Sequence, residues 1–197
     1  MLKPYQKEAL QLAKRSILEV FKLDSLKQYQ VKSKELLEKK ASFVTLKTLP
    51  DYQLRWCIGS LVPVRLLWED IVINAKNAAF ADIRFVPLSQ EELPYLYVEI
   101  SILSIPVRVE FSSIDELLKA LKEKHPWVII NLFGNRATFL PSVWKELPDE
   151  NEFLRHLVAK AFISWDKFVN MFSSVEVYFY YTEEFWLRWE DIKLSQV

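Results

Sequence analysis

Glycine is scarce in this chain, which holds two glycines in 197 residues, whereas about 7% is usual. Because glycine supplies most of the positive φ angles that tight turns need, each of the two marks a special backbone requirement. Gly134 stands with Asn135 between the apolar runs WVIINLF and RATFL, which predicts a hairpin with a two-residue turn. Gly59 lies inside a predicted strand, where glycine usually marks a bulge or a close approach. We therefore expect a site at Gly59.

The stretch LRWCIGSL, residues 54–61, also holds the single cysteine of the chain. Alternate side chains of a regular strand share a face. One face would carry Arg55, Cys57, Gly59 and Leu61, and the other Leu54, Trp56, Ile58 and Ser60. A cation beside a thiol suits a thiolate nucleophile, so Cys57 and Arg55 are the candidate catalytic residues. The alternative is that Cys57 is a small buried hydrophobe, and its exposure decides between the two.

Hydrophobic periodicity divides the chain into helices and strands. The predicted helices are residues 4–22, 33–40, 66–82, 113–123, 141–147 and 150–161, with a short aromatic helix after residue 183. The predicted strands are residues 42–47, 54–61, 92–103, 127–133, 136–140 and 174–183. Because helices and strands do not alternate regularly, the predicted fold class is α+β with largely antiparallel sheets.

The predicted elements form two lobes. The Ile105-Pro106 step and residues 170–174 are the expected crossing points between them. Residues 107–171 would then be a small lobe, inserted into a larger lobe made of residues 1–106 and 172–197.

Composition limits the function classes. The formal net charge is zero, so there is no global field that would attract nucleic acid or an anionic membrane. Residues 1–50 hold eleven Lys/Arg against five Asp/Glu, which leaves RNA binding through the first helices as a minor hypothesis. A single cysteine excludes an internal disulfide and fits a reducing cytoplasm. The polar start MLKPYQKEAL does not resemble a secretion signal, and the apolar runs are too short to span a membrane. We expect a cytoplasmic protein.

No metal or cofactor is indicated, because one cysteine and two distant histidines lack zinc-ligand spacing. Four further residues are candidates for ligand binding. Glu99 and Ser101 share the less aliphatic face of a predicted strand, and Arg84 and Phe85 follow an alanine-rich helix. Glu99 could be a general base or the ion partner of Arg55, although cross-strand pairing is the simpler role. Arg84 could likewise form an ordinary surface salt bridge.

Three motifs give the chain a family resemblance. LRWCIG differs at one position from Leu-Arg-Gly-Cys-Ile-Gly, and AAFADIRF at one from Ala-Ala-Phe-x-Asp-Pro-Arg-Phe; Thr-Phe-Leu-Pro follows at residues 138–141. In this order they resemble the AMME chromosomal region protein family over most of residues 42–157. The departures are Trp56 for glycine and Ile83 for proline. A tryptophan is unsuited to positive φ, and we expect its ring to join the core rather than to narrow a cleft.

The resemblance implies a two-lobed α+β protein in which each lobe has an antiparallel sheet and a cleft separates the lobes. It also implies that the LRWCIG strand faces this cleft. Residues that would line the cleft are Leu54, Arg55, Cys57, Ile58, Gly59, Ser60, Arg84, Phe85, Glu99 and Ser101. The activity of the family is not established. Prokaryotic relatives are grouped with Memo-like and radical SAM proteins, which suggests a shared pathway.

The sequence leaves three function classes. We place first a protein that binds a peptide, a protein or a larger metabolite in the cleft, because no complete catalytic constellation accompanies Cys57. An enzyme that uses Cys57 with Arg55 comes second, and an RNA-binding protein third. The oligomeric state stays open.

Overall fold

The structure is a computed structural model that describes residues 1–139 and 143–194. The chain forms two compact units, Met1–Ser104 with the chain from Thr182 onward, and Ile105–Tyr181. Each unit holds helices and one antiparallel sheet, so the predicted α+β class is confirmed. The predicted cleft between the lobes stays a prediction.

The first unit packs two long helices on one face of a four-stranded sheet. Its elements are α1 (Pro4–Val20), β1 (Ser42–Thr48), β2 (Gln53–Gly59), α2 (Leu67–Ala81), β3 (Leu96–Leu103) and β8 (Thr182–Arg188). The strand order is β2-β1-β3-β8, and every neighbouring pair is antiparallel. Alternate residues of β1 and β3, such as Val44, Leu46, Val98 and Ile100, meet the two helices in the core. The residues that meet the helices alternate along each strand, as one helix-covered face requires, and Tyr97, Ser101 and Leu103 on the other face of β3 are buried as well.

The second unit is built around a separate sheet and core. Its elements are β4 (Val107–Val109), α3 (Ile114–Lys124), β5 (Trp127–Leu132), β6 (Asn135–Phe139), α4 (Val143–Glu146), α5 (Glu150–Lys160), α6 (Trp165–Asn170) and β7 (Glu176–Tyr180). The strand order is β4-β7-β5-β6. Side chains cap three of these helices: Ser113 accepts the N–H of Glu116 on α3, Asp149 accepts two N–H groups on α5, and Ser164 accepts the N–H of Lys167 on α6.

The hairpin expected at Gly134 is confirmed, but its turn lies one residue earlier. Phe133 and Gly134 both have positive φ, at 50° and 89°, between the paired residues Leu132 and Asn135. Such a turn matches the twist of the flanking strands. Asn135 therefore begins β6 rather than ending the turn.

The C-terminal part of the structure differs from the sequence prediction in two respects. The aromatic segment predicted as a helix is strand β8, in which Phe185 is buried and Trp186 is half-exposed. Strand β7 pairs with β4 and β5, so the chain leaves the second unit after Tyr181, ten residues later than the predicted boundary at 171/172. Residues 141 and 142 of the predicted helix 141–147, and Leu140 and Pro141 of the third motif, lie outside the described residues.

Candidate functional site

A β-bulge at Arg55 changes which motif residues share a face. On β1 the neighbours Leu46 and Lys47 pair with Trp56 and Leu54 of β2, so Arg55 is the extra residue. Leu54 therefore lies opposite Lys47, on the same side of the sheet as Cys57. Strict alternation had placed Leu54 on the other side, and that assignment is wrong because a bulge resets the register.

We call the side of the sheet away from the two helices the Cys57 face. It carries alternate residues of all four strands, which pair across the sheet. These residues are Leu54, Cys57 and Gly59 on β2; Phe43, Thr45 and Lys47 on β1; Tyr97, Glu99, Ser101 and Leu103 on β3; and Thr182, Glu184, Trp186 and Arg188 on β8. One row across the sheet runs Cys57, Thr45, Glu99 and Trp186.

Two predicted site residues lie on the opposite, helix-covered face. Ile58 packs against the core of the first unit. Ser60 donates its hydroxyl to Asp70 of α2 at 2.8 Å, and the same buried carboxylate accepts the Asn74 side chain and the N–H and hydroxyl of Ser42. This network joins α2 to β1 and to the end of β2, so we leave Ile58 and Ser60 out of the proposed site.

Gly59 is explained by a side chain of the protein itself. A Cβ at this position would lie 2.2 Å from the ring of Phe43, its direct partner on β1. The close approach expected at Gly59 is therefore made by Phe43, and the bulge lies at Arg55. A glycine here lets the Phe43 ring lie flat against β2.

Trp56 fills the core. Its side chain is fully buried, and its indole N–H donates to the carbonyl of Val86 at 3.0 Å. The expectation that this ring joins the core is confirmed.

Arg55 does not contact the thiol with which it was paired. Its guanidinium lies 4.1 Å from the Trp56 ring and 5.9 Å from the Phe85 ring, and its Nε lies 3.4 Å from the Glu92 carboxylate. Phe85 also packs under the guanidinium of Arg84 at 5.5 Å. Arg55 and Phe85 thus form a cation–aromatic cluster at the edge of β2.

A salt bridge between Asp82, which sequence reasoning missed, and the candidate residue Arg84 holds the backbone of Cys57. Asp82 accepts the N–H of Cys57 at 3.1 Å, and Arg84 donates to the Cys57 carbonyl at 2.9 Å. Arg84 also binds both oxygens of Asp82. The Asp82 side chain is 2% exposed. Hydrogen bonds from Arg84 hold the pKa of the Asp82 carboxyl well below its ordinary value, although burial acts in the opposite direction.

The Cys57 thiol is a neutral group in this setting. Its sulfur accepts the hydroxyl of Thr45 at 3.2 Å. Burial raises the pKa of the thiol above its ordinary value of 9.0. The Thr45 hydrogen bond and the charge of Arg84 lower it, Asp82 and Glu99 raise it, and burial prevails. Arg55, the predicted activator, is not among these groups.

The remaining candidates lie in the middle of the Cys57 face. Glu99 forms an ion pair with Lys47 at 2.8 Å, with the two side chains 20% and 27% exposed. The simpler cross-strand role for Glu99 is therefore the observed one, and its partner is Lys47 rather than Arg55. Beside this pair, the rings of Tyr97 and Trp186 lie 4.6 Å apart. Ser101 also lies on this face and is buried.

The part of the chain that the structure describes holds neither a metal-binding cluster nor a membrane-spanning helix. Within residues 1–139 and 143–194, no cluster of three or more His, Cys, Asp or Glu side chains could hold a metal ion. In the same part of the chain, no helix has the length and hydropathy to cross a membrane.

Comparisons with known proteins agree on one family. A family model described as AMMECR1 matches residues 10–185. The protein MJ0810 of Methanocaldococcus jannaschii is 38% identical over 125 residues, which are 63% of this chain and 62% of the relative, a little under two thirds of its length. The protein MK0488 of Methanopyrus kandleri is 35% identical over 156 residues, covering 77% of this chain and 74% of the relative. The crystal structure of an uncharacterized protein, PH0010 from Pyrococcus horikoshii, superposes with a TM-score of 0.72 at 29% identity, over 94% of this chain and 93% of the other.

Proposed function

The chain belongs to the AMMECR1 family, and from the geometry of β2 and its neighbours we propose that it is a binding protein. The ligand is an extended molecule, namely a peptide, a segment of a protein or a larger metabolite. It lies along the Cys57 face of the first unit, and Cys57 contacts it as a neutral thiol.

The Lys47–Glu99 pair carries this proposal. The pair presents an ammonium and a carboxylate side by side in the middle of the sheet, and both side chains keep some exposure. Together they offer hydrogen-bond donors and acceptors, which a peptide backbone or a polar metabolite needs. Because the two adjacent charges largely cancel at a distance, the pair does not attract a ligand for its net charge of either sign.

The aromatic side chains next to this pair supply apolar contact area. Trp186 and Tyr52 are 50% and 43% exposed. The buried Tyr97 ring supports both, with its centroid 4.6 Å from that of Trp186 and 5.0 Å from that of Tyr52. Leu54 adds an exposed aliphatic side chain at the same end of the face. Such surfaces bind the side chains of peptides or the apolar parts of metabolites at a small cost in conformational entropy.

Catalysis by Cys57 is the weaker alternative. A thiol nucleophile needs its thiolate form, whereas burial raises the pKa of Cys57. Arg55 lies against Trp56 and Glu92, so it does not supply the activation that this alternative assumed. The shared pathway with Memo-like and radical SAM proteins remains a proposal that either function would fit.

The test is a ligand screen with two variants of the central pair. Saturation-transfer NMR on peptide and metabolite mixtures should identify compounds that bind the unmodified chain. Lys47→Met and Glu99→Gln should each lower the affinity for these compounds by about tenfold or more, since each substitution leaves one charge unpaired. The matched control is Lys124→Met, on an exposed residue of α3 in the second unit. No binding by the unmodified chain, or equal binding by all variants, would contradict the proposal.

A further inference from the structure

The two edge strands of the first sheet, β2 and β8, differ in whether their outward backbone groups are covered. At the β2 edge, the bulge at Arg55 interrupts the ladder, and the Asp82–Arg84 pair occupies the N–H and the carbonyl of Cys57. An exposed strand edge is a template for pairing with another chain, and bulges and covering groups are common ways to block it. The β2 edge is therefore protected.

In the described part of the chain, the β8 edge has neither a bulge nor a pair of side chains on its outward backbone groups. All seven residues of Thr182–Arg188 pair with β3 in an unbroken register, so there is no bulge, and the strand contains no proline or lysine. Apart from the bonds to β3, no hydrogen bond from the rest of the described chain reaches the backbone of these residues. Trp186 is 50% exposed in the middle of the strand.

We propose that β8 pairs with β8 of a second copy of this chain. The strands run antiparallel about a two-fold axis at Trp186, and the two sheets become one sheet of eight strands. In this register Glu184 lies opposite the partner's Arg188, and the two-fold axis repeats the pair. Both residues lie on the Cys57 face and are exposed, so their side chains are close enough to form an ion pair.

Other registers of the same strand fit less well. An antiparallel pairing centred on Phe185 would place Glu184 opposite the partner's Trp186, and Glu183 opposite the partner's Leu187. A parallel pairing in register would place each charged residue opposite its own copy, which is repulsive. The register centred on Trp186 instead pairs Phe185 with Leu187 on the helix-covered face. The same register places Glu183 opposite the partner's Trp189, so the choice of alignment rests on the two Glu184–Arg188 pairs and on the Phe185–Leu187 contact.

Both charged side chains have neighbours within their own chain. Glu184 accepts the hydroxyl of Thr182 at 3.2 Å, and a hydrogen bond with Tyr52 raises the pKa of Arg188. Neither interaction is an ion pair. Each charge therefore remains able to pair across the axis.

The experiment uses two charge variants of the full chain, Glu184→Arg and Arg188→Glu. Sedimentation velocity over a wide range of concentrations should show a dimer for the unmodified chain. Each variant alone would oppose like charges twice, so its dimer should dissociate with a Kd raised by about tenfold or more. Mixing the two variants places arginine opposite glutamate at both positions and should restore a dimer that contains one copy of each.

The outcomes distinguish a β8–β8 dimer from a dimer that is held by another surface. A thermal melt first establishes that both variants fold, and Glu123→Arg, on an exposed residue of α3, is the matched control that should still dimerise. A monomeric unmodified chain would overturn the proposal. An unchanged dimer Kd in each variant alone would also overturn it, because another surface would then hold the dimer. Variants that stay monomeric after mixing would exclude the pairing of Glu184 with Arg188.

Discussion

Asp82 accepts the backbone N–H of Cys57 at 3.1 Å from a carboxylate that is almost completely buried. Arg84 binds that carboxylate and the carbonyl of the same cysteine. Both outward backbone groups of Cys57 are thus held by two residues that directly follow α2. The pair covers the edge of β2 as a neighbouring strand would, and it fixes the position of the thiol on the sheet.

Replacing this acid should destabilise the protein in a pH-dependent way. Asp82→Asn should lower the free energy of unfolding by about 1.5–3 kcal/mol at neutral pH, because hydrogen bonds to a charged acceptor are lost. The folded-state pKa of Asp82 lies below its ordinary value of 3.8. Its contribution is therefore complete above that value and is lost as the pH falls through the lower, folded-state pKa.

Urea unfolding at several pH values checks this expectation. The difference between the unmodified chain and Asp82→Asn should be constant around neutrality and should shrink at acid pH. Glu123→Gln, on an exposed residue of α3, should leave the stability unchanged throughout. A difference that grows on acidification would show that Asp82 does not act as a buried anion.

Adding a methyl group at Gly59 should destabilise the first unit. Gly59→Ala would place a carbon 2.2 Å from the ring of Phe43, and overpacking of this kind costs about 1–3 kcal/mol. The matched background is Phe43→Ala, in which the same change at Gly59 should cost little because the ring is gone. Denaturant unfolding of the unmodified chain, the two single variants and the double variant measures the coupling energy between Gly59→Ala and Phe43→Ala. Equal costs in the two backgrounds would mean that Phe43 does not explain the glycine.

Trp56 should be a strong contributor to stability. Trp56→Gly introduces the residue that the family pattern has at this position, yet it removes a fully buried ring and its hydrogen bond to Val86. Deleting a buried tryptophan costs about 3–5 kcal/mol. Guanidinium unfolding should show this loss for Trp56→Gly and a much smaller one for Trp56→Phe. A Trp56→Gly protein as stable as its parent would contradict the core role of the ring.

Local patterns were enough for most elements but not for the register of β2. The bulge at Arg55 depends on how β1 lies beside β2, and no local signal within LRWCIG distinguishes an extra residue from regular alternation. Likewise, β7 pairs with β4 and β5 through contacts distant in sequence. Both features are set by tertiary pairing.

The Asp82–Arg84 pair and strand β8 could both have been predicted from the sequence. Asp82 stands at the C-terminal end of α2, where the helix dipole disfavours an acid, so a compensating partner such as Arg84 was to be expected. Phe185 and Leu187 of β8, and Trp189 just after it, alternate with Trp186 and Arg188. This period of two indicates a strand, although the aromatic content suggested a packed helix.

We propose that Cys57 belongs to a binding surface and does not act as a nucleophile. The most direct test is the rate at which an alkylating reagent labels Cys57 in the native protein as a function of pH, with Arg55→Ala beside it. We predict slow labelling at neutral pH, an apparent pKa above the ordinary 9.0, and the same profile in the variant. Fast labelling with an apparent pKa below that value, lost in Arg55→Ala, would contradict the account and identify an activated thiol.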